Sequence, residues 1–327
     1  MLNPTYISGA GFYVPERVVS NLDLENIIDT SDAWIQTRTG IRERRIAAAN
    51  QSTSDLAVEA GRRAMANAMI DPCMVDLLII ATLSPDMMFP ATACTVQKKL
   101  GLTRAVAFDI GAACSGFIYA LSVATQFLSA NSFNTALIIG AEVFSRFINW
   151  QDRSTCVLFG DGAGAIVIQN NTVGHKILST HLGSDGTGYE HLCLPAGGSR
   201  LPASVETLGN NLHYIHMNGK EVYKYAVKAM SDSVVAALEK ANMSIHDIDL
   251  LIPHQANKRI MEGVAERLGL SLRKVFVNID RYGNTSAASI PIALCEAIGL
   301  NIVNKGDVVV FTGFGAGFTW GSTVVNW

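Results

Sequence analysis

Three polar side chains stand in apolar stretches where they could do chemistry. Cys114 lies in Ala107-Phe-Asp-Ile-Gly-Ala-Ala-Cys-Ser-Gly-Phe-Ile-Tyr-Ala-Leu121, where an apolar strand pattern gives way to an apolar helix pattern. His254 lies in Leu251-Ile-Pro-His-Gln-Ala-Asn257, and Asn284 in Tyr282-Gly-Asn-Thr-Ser-Ala-Ala-Ser289. A thiol, an imidazole and a carboxamide in that order suggest acyl transfer through a thioester. The thiolate is the nucleophile, and a helix N-terminus favours negative charge.

Each group has a plainer reading. Free cysteine is among the most buried residue types, and Cys73, Cys94, Cys156, Cys193 and Cys295 are read as structural, buried cysteines. Cys114 differs through its small flanks, Gly111, Ala112, Ala113, Ser115 and Gly116. These allow a tight strand-to-helix turn and leave room beside the sulfur. His254 follows a strand and a proline, which puts it at a strand's C-terminal end, where ligands bind in α/β folds; the alternative is a core histidine. Asn284 opens a helix and could simply cap it. Phe314-Gly-Ala-Gly-Phe-Thr-Trp-Gly321 lacks the Gly-Lys-Ser/Thr of a P-loop. As a turn it could present N–H groups to an oxyanion.

The elements that position these groups occur twice. Val75-Asp-Leu-Leu-Ile resembles Ile248-Asp-Leu-Leu-Ile, and Val96-Gln-Lys-Lys-Leu-Gly-Leu-Thr resembles Val264-Ala-Glu-Arg-Leu-Gly-Leu-Ser. Cys114 and Asn284 lie 170 apart (284 − 114), each before an apolar helical stretch. The repeats imply two copies of one α/β unit related by a pseudo-twofold axis, residues 1–172 and 173–327. Strands are expected at Leu77–Leu83, Ala105–Ile110, Ala136–Ala141, Leu250–Pro253 and Asp307–Thr312. Helices are expected at Thr53–Ala68, Gly116–Ser129, Lys220–Ala241, Ile260–Leu268 and Ser286–Ile298. Strands that are apolar throughout fit a parallel sheet covered on both faces. Residues 183–218, rich in Gly, Pro, Ser and Asn, read as a surface excursion. If Asn284 is the twin of Cys114, both helix N-termini meet near the axis and the two side chains share a pocket.

Composition narrows the functions. Only 16% of the 327 residues are charged, against roughly 25% in an average soluble protein. The core is therefore large, and a buried subunit interface is favoured. A net charge of −3 gives no overall basic field for nucleic acid. No apolar run reaches the roughly 18 residues of a membrane span, and no secretory signal opens the chain. The cysteines show no zinc spacing, and the cytoplasm is the expected compartment.

Taken together, the motifs resemble the β-ketoacyl-acyl-carrier-protein synthase III family of thiolase-fold condensing enzymes. The resemblance spans the chain, through Thr30-Ser-Asp-Ala-Trp-Ile-Gln-Thr-Arg-Thr-Gly-Ile-Arg-Glu-Arg, Ala112-Ala-Cys-Ser-Gly-Phe, Phe159-Gly-Asp-Gly-Ala-Gly-Ala, Pro253-His-Gln-Ala-Asn, Tyr282-Gly-Asn-Thr-Ser-Ala-Ala-Ser and Gly315-Ala-Gly-Phe-Thr-Trp-Gly. It implies a layered αβαβα arrangement and catalysis by Cys114, His254 and Asn284. The substrates it implies are an acyl-CoA, acetyl-CoA by default, and malonyl-acyl carrier protein. No metal or cofactor is implied, since the CoA thioester is a substrate. Backbone N–H groups of Cys114 and Ala316 would bind the oxyanion. Trp34 and Arg153 would sandwich the adenine of CoA, with Arg38 nearby and Asn257 supporting the pantetheine end or His254. Phe89 would close the acyl pocket of its own or a partner subunit, with Met87 and Met88 beside it. Lys224, Lys228, Lys258, Arg259 and Arg267 are candidates for docking an acidic carrier protein, and a homodimer is favoured. Two departures stand out: Glu266 where a basic residue is expected, and Ala316 in place of the middle glycine of a three-glycine run.

Other readings are a thiolase-fold acyltransferase or condensing enzyme of specialised metabolism with a different acceptor, a papain-like hydrolase and a non-catalytic binding module. Against hydrolysis stands the lack of a Cys-Gly-Ser-Cys-Trp pattern. Against a binding module stands the intact Cys114, His254 and Asn284.

Overall fold

The computed structural model describes residues 3–170 and 174–327. Its main sheet has nine strands, labelled here in chain order: β1 (Tyr6–Tyr13), β2 (Leu77–Ala81), β3 (Val106–Ile110), β4 (Thr135–Glu142), β5 (Gly162–Gln169), β6 (His175–Ser184), β7 (Leu250–Pro253), β8 (Val308–Gly315) and β9 (Thr319–Asn326). The spatial order is β7-β8-β9-β6-β1-β5-β4-β2-β3. Strand β2 runs parallel to β3 and β4, and β7 runs parallel to β8; the remaining pairs are antiparallel. The two half-sheets meet where β1 pairs with β6, Tyr6 opposite Lys176 and Ile7 opposite His175.

Six longer helices complete the layers: α1 (Thr53–Asn67), α2 (Thr92–Leu100), α3 (Gly116–Ser129), α4 (Gly219–Lys240), α5 (Lys258–Leu268) and α6 (Ser289–Gly299). Alternate strand residues point to opposite faces, so an all-apolar strand serves two cores. Leu78 and Ile80 pack outward beneath α1 and α2, while Leu77 and Ile79 face inward onto α3. In the second half Val310 packs outward with residues of α4 and α5, while Val309 and Phe311 join Phe117, Ile290 and Leu294 of α3 and α6. The αβαβα layering expected from the sequence follows, with α3 and α6 forming the central layer. Among the described residues no helix is long and apolar enough to cross a membrane.

The structure adjusts several expectations. Strand β2 stops at Ala81 because Thr82, Leu83 and Ser84 turn to donate hydrogen bonds to Glu142. The excursion begins after Ser184, since β6 continues to that residue in register with β9. Of the five cysteines read as buried, Cys156 is buried, Cys193 and Cys295 are half-buried, and Cys73 and Cys94 are exposed. The expected division at 172/173 falls within 171–173, outside the described residues.

The proposed twinning of Cys114 with Asn284 shifts by three residues. Short 3₁₀ turns precede α3 and α6 at Ala113–Ser115 and Ser286–Ala288, and both open on a residue with left-handed backbone, Ala113 at φ +47° and Ser286 at φ +49°. The offset of these turns is 173 (287 − 114), so the counterpart of Cys114 is Ala287 and that of Asn284 is Gly111.

Candidate active site

Cys114 sits at the centre of the first of these turns, 6% exposed, just before α3. Ser115 fixes the turn, its hydroxyl donating to Ala112 O at 2.8 Å and lying 2.9 Å from Thr319 Oγ1. Gly315, ending β8, presses against the nucleophile: a Cβ there would lie 2.6 Å from Cys114 N and 2.9 Å from Ala113 Cβ. Non-glycine residues rarely adopt positive φ, and such residues cluster at functional sites. The resting thiol is not a thiolate, because burial pushes its pKa up to about 12. Desolvation outweighs the favourable helix end in the free protein.

His254 ends β7's extension, its backbone N–H donating to Thr312 O at 2.7 Å. It is 2% exposed, and burial lowers its pKa to about 3. The ring is therefore neutral at physiological pH. Its Nδ1 is 2.6 Å from Ser289 Oγ, which also accepts from Gln255 N. Asn284 is held at both backbone groups, donating to Leu158 O and accepting from Gly160 N. Its Oδ1 accepts from Ser286 N at 2.9 Å. That bond fixes the amide orientation and leaves Nδ2 as a donor.

Cys114, His254 and Asn284 line one cavity of about 630 Å³. A smaller, mostly apolar cavity of about 220 Å³ opens from the other side of Cys114, lined by Leu83, Phe144, Phe147, Leu194, Ile215 and Ala316 among others. Leu192 and Phe159 border both, and the larger one also touches Met217. The excursion thus forms cavity wall. Ala316 carries no left-handed backbone; the positive φ of its turn falls on Gly317 at +140°. Alanine therefore fits there and keeps its N–H.

Of the other expected site residues, Arg38, Asn257, Lys224 and Arg259 line the larger cavity, and so does Lys220, which the sequence reading missed. Asn257 caps α5, accepting from Arg259 N, and its amide donates to Arg38 O. Arg153 lies over Trp34, its guanidinium carbon 4.7 Å from the ring centroid. Lys228 and Arg267 share Asp232, and Lys258 pairs with Glu262. Phe89 lines neither cavity of this chain; with Met87 and Met88 it stands exposed on the loop after β2.

The sequence reading also missed Glu142. This carboxylate at the end of β4 is fully buried and accepts from Thr82 Oγ1, Leu83 N, Ser84 N, Ser84 Oγ and Ser286 Oγ. Burial raises its pKa to about 7 in spite of these donors. An acidic residue straight after the apolar run Ala136–Ala141 was the available signal. Among the described residues no group of three or more His, Cys, Asp or Glu side chains could hold a metal ion.

Comparisons with known proteins show the family and the fold. The profile for 3-oxoacyl-[acyl-carrier-protein (ACP)] synthase III matches residues 108–186, and that for the C-terminal part of the same family matches residues 238–327. The chain is similar to the beta-ketoacyl-[acyl-carrier-protein] synthase III of Symbiobacterium thermophilum, 55% identical over 326 residues that cover 100% of this chain and 99% of that one. The corresponding protein of Caldanaerobacter subterraneus subsp. tengcongensis is 54% identical over 321 residues, 98% and 97% of the two chains. Among solved structures, 3-oxoacyl-[acyl-carrier-protein] synthase III from Aquifex aeolicus VF5 superposes with a TM-score of 0.92 at 46% identity, covering 99% of this chain and 100% of that one.

Proposed function

The chain belongs to the 3-oxoacyl-[acyl-carrier-protein] synthase III family of thiolase-fold enzymes, and from that premise we propose how its residues carry out the condensation that initiates fatty acid synthesis. The reaction joins an acyl-CoA primer, acetyl-CoA as standard, to malonyl-acyl carrier protein, giving β-ketoacyl-acyl carrier protein, CoA and carbon dioxide. The observation that carries the residue assignment is the convergence of Cys114, His254 and Asn284 on one cavity.

Cys114 attacks the primer thioester and holds the acyl group, which occupies the apolar cavity beside Ala316. The N–H groups of Cys114 and Ala316 take the developing oxyanion. Malonyl-acyl carrier protein then enters the larger cavity. His254, through Nε2, and Asn284, through Nδ2, donate to its thioester carbonyl. Negative charge builds on that oxygen as carbon dioxide leaves, so fixed donors lower the barrier. The carbanion attacks acyl-Cys114. A neutral histidine with Nδ1 engaged by Ser289 supports a donor role and argues against a resting general base.

Trp34 and Arg153 hold the adenine end of CoA, Arg38 and Asn257 the groups nearer the cavity. The carrier protein docks on the basic rim, with Lys220, Lys224 and Arg259 at the mouth. Lys224, Lys228 and Arg267 contribute less than Lys220 and Arg259, because Glu221 already pairs with the first and Asp232 with the other two. The enzyme acts as a homodimer through the β3 edge of the sheet and the loop bearing Met88 and Phe89, which are 79% and 84% exposed. Phe89 then closes a partner's acyl pocket.

The test is transfer of label. Protein loaded with labelled acetyl-CoA and freed of excess is chased with malonyl-acyl carrier protein. Label leaving the protein as an acetoacetyl thioester on the carrier is the expected result. Label that stays on Cys114 would transfer the assignment to another acceptor.

A further inference from the structure

Glu142 lines neither cavity, yet two parts of the site meet on it. Its carboxylate is buried at the end of β4 and accepts every one of its hydrogen bonds. Oε2 takes Thr82 Oγ1 at 3.1 Å, Ser84 N at 3.0 Å and Ser84 Oγ at 2.5 Å. Oε1 takes Ser286 Oγ at 3.1 Å, and Leu83 N is shared between the two oxygens. The Oε2 side therefore holds the loop after β2, whose Leu83 lines the apolar cavity. The Oε1 side holds the turn that follows Asn284 and opens α6.

That second hold reaches the chemistry in one step. The Asn284 backbone is fixed separately, by Leu158 O and Gly160 N. Its side chain has a single hydrogen-bond partner among the described residues, the Ser286 N–H at 2.9 Å, and that bond leaves Nδ2 as the donor. Ser286 sits at φ +49°, a backbone region that a non-glycine residue keeps only where its surroundings hold it there. Glu142 takes its hydroxyl. Strand β4 also lies directly against the turn: a Cβ on Gly140 would come within 2.2 Å of Ala287 O.

We propose that Glu142 is a positioning residue for decarboxylation: by holding the Ser286 hydroxyl it fixes the N–H that orients the Asn284 amide toward the thioester carbonyl of the malonyl group. The inference rests on the condensing reading above. Acyl loading does not depend on this hold. The Cys114 turn is fixed by Ser115 on Ala112 and Thr319 and by the close approach of Gly315, and none of these contacts passes through Glu142.

Glutamine at this position separates the two sides. A carboxamide has one acceptor oxygen and an NH2 group in place of the other. Three donors face Oε2 alone, so the amide oxygen takes that place and the loop keeps its bonds. The NH2 group then faces the Ser286 hydroxyl, which must turn its proton away. A charge-assisted bond is replaced by a weaker, reversed one, and the hold on Asn284 loosens while the acyl-cavity wall stays.

The test is single-turnover kinetics of the two half-reactions in the full chain. Glu142→Gln should load labelled acetyl-CoA within about threefold of the parent, while its release of carbon dioxide from malonyl-acyl carrier protein falls about tenfold, the scale of one lost hydrogen bond to a charged group. Ser286→Ala leaves the loop's bonds to Glu142 in place, and Ala113 shows that alanine fits a left-handed turn of this kind. It should show the same split. The double variant should be no slower than the slower single one, since both changes remove the same bond. Unchanged decarboxylation, equal losses in the two half-reactions, or losses that multiply in the double variant would overturn the inference and leave a carboxylate that only stabilises the fold. If Glu142→Gln lacks a cooperative melt, Ser286→Ala decides by the same split. A parent protein that releases no carbon dioxide from malonyl-acyl carrier protein sinks the condensing reading and the inference with it, whereas a parent active in both half-reactions confines any failure to Glu142.

Discussion

Ser289 Oγ lies 2.6 Å from His254 Nδ1 and simultaneously accepts from Gln255 N. With that lone pair occupied, the serine proton is directed at Nδ1, and the ring carries its own proton on Nε2. Ser289→Ala removes the bias. Loading from acetyl-CoA should stay within twofold, while decarboxylation of malonyl-acyl carrier protein should fall about tenfold, the worth of one hydrogen bond of about 1.4 kcal/mol. Single-turnover measurements of the two half-reactions separate these outcomes. An equal loss in both would contradict the division of labour between Cys114 and His254.

Stability should respond to pH through the same buried groups. The folded pKa of His254, about 3, lies below its ordinary 6.5. The unfolded chain therefore binds a proton that the folded one refuses, and stability is lost as pH falls from 6.5 towards 3. Glu142 acts oppositely: its folded pKa of about 7 exceeds the ordinary 4.5, so its contribution is lost as pH rises from 4.5 to 7. In His254→Asn the first effect disappears. Between pH 7 and pH 5 that variant should lose about 2 kcal/mol less stability than the parent, as measured by urea midpoints at each pH.

The sequence made the core legible for a simple reason. Strands such as Leu77–Ala81 are apolar at every position because both faces are covered, and only a layered fold does that. Cys114, His254 and Asn284 were legible because polar groups in apolar runs are costly and need a reason. The exact twin relationship was not. Asn284 lies three residues ahead of the Ala287 that matches Cys114, since the 3₁₀ turns that set the register have no hydrophobic period of their own. Glu142 was missed because its five donors come from two distant segments, Thr82–Ser84 and Ser286, which only the fold brings together.

Trp34 and Arg153 are already stacked, with 4.7 Å between guanidinium carbon and ring centroid. An adenine sandwiched between them needs that gap to open, and Arg153 is tethered by its Nη1–H bond to Asp29 O. Trp34→Ala should raise KM for acetyl-CoA about tenfold, the loss of about 1.4 kcal/mol of stacking, with little change in kcat. A short acyl thioester lacking the nucleotide should be used equally well by both proteins. Loss of activity with the short thioester as well would remove Trp34 from the nucleotide site.

The turn at 315–317 separates two substitutions that look alike on paper. Gly315→Ala puts a Cβ 2.6 Å from Cys114 N, a backbone atom with no side-chain freedom to yield. The nucleophile turn must shift, at a cost of about 1–3 kcal/mol in stability, and it carries one of the two proposed oxyanion donors with it. Loading should therefore drop ~100-fold or more, in line with loss of such a donor. Ala316→Gly alters neither donor nor backbone class, because the left-handed residue of this turn is Gly317. It should load acetyl-CoA within threefold of the parent. Steady-state loading rates for both variants, beside thermal melts, check the pair; a tolerant Gly315→Ala would show that the β8 end does not set the position of Cys114.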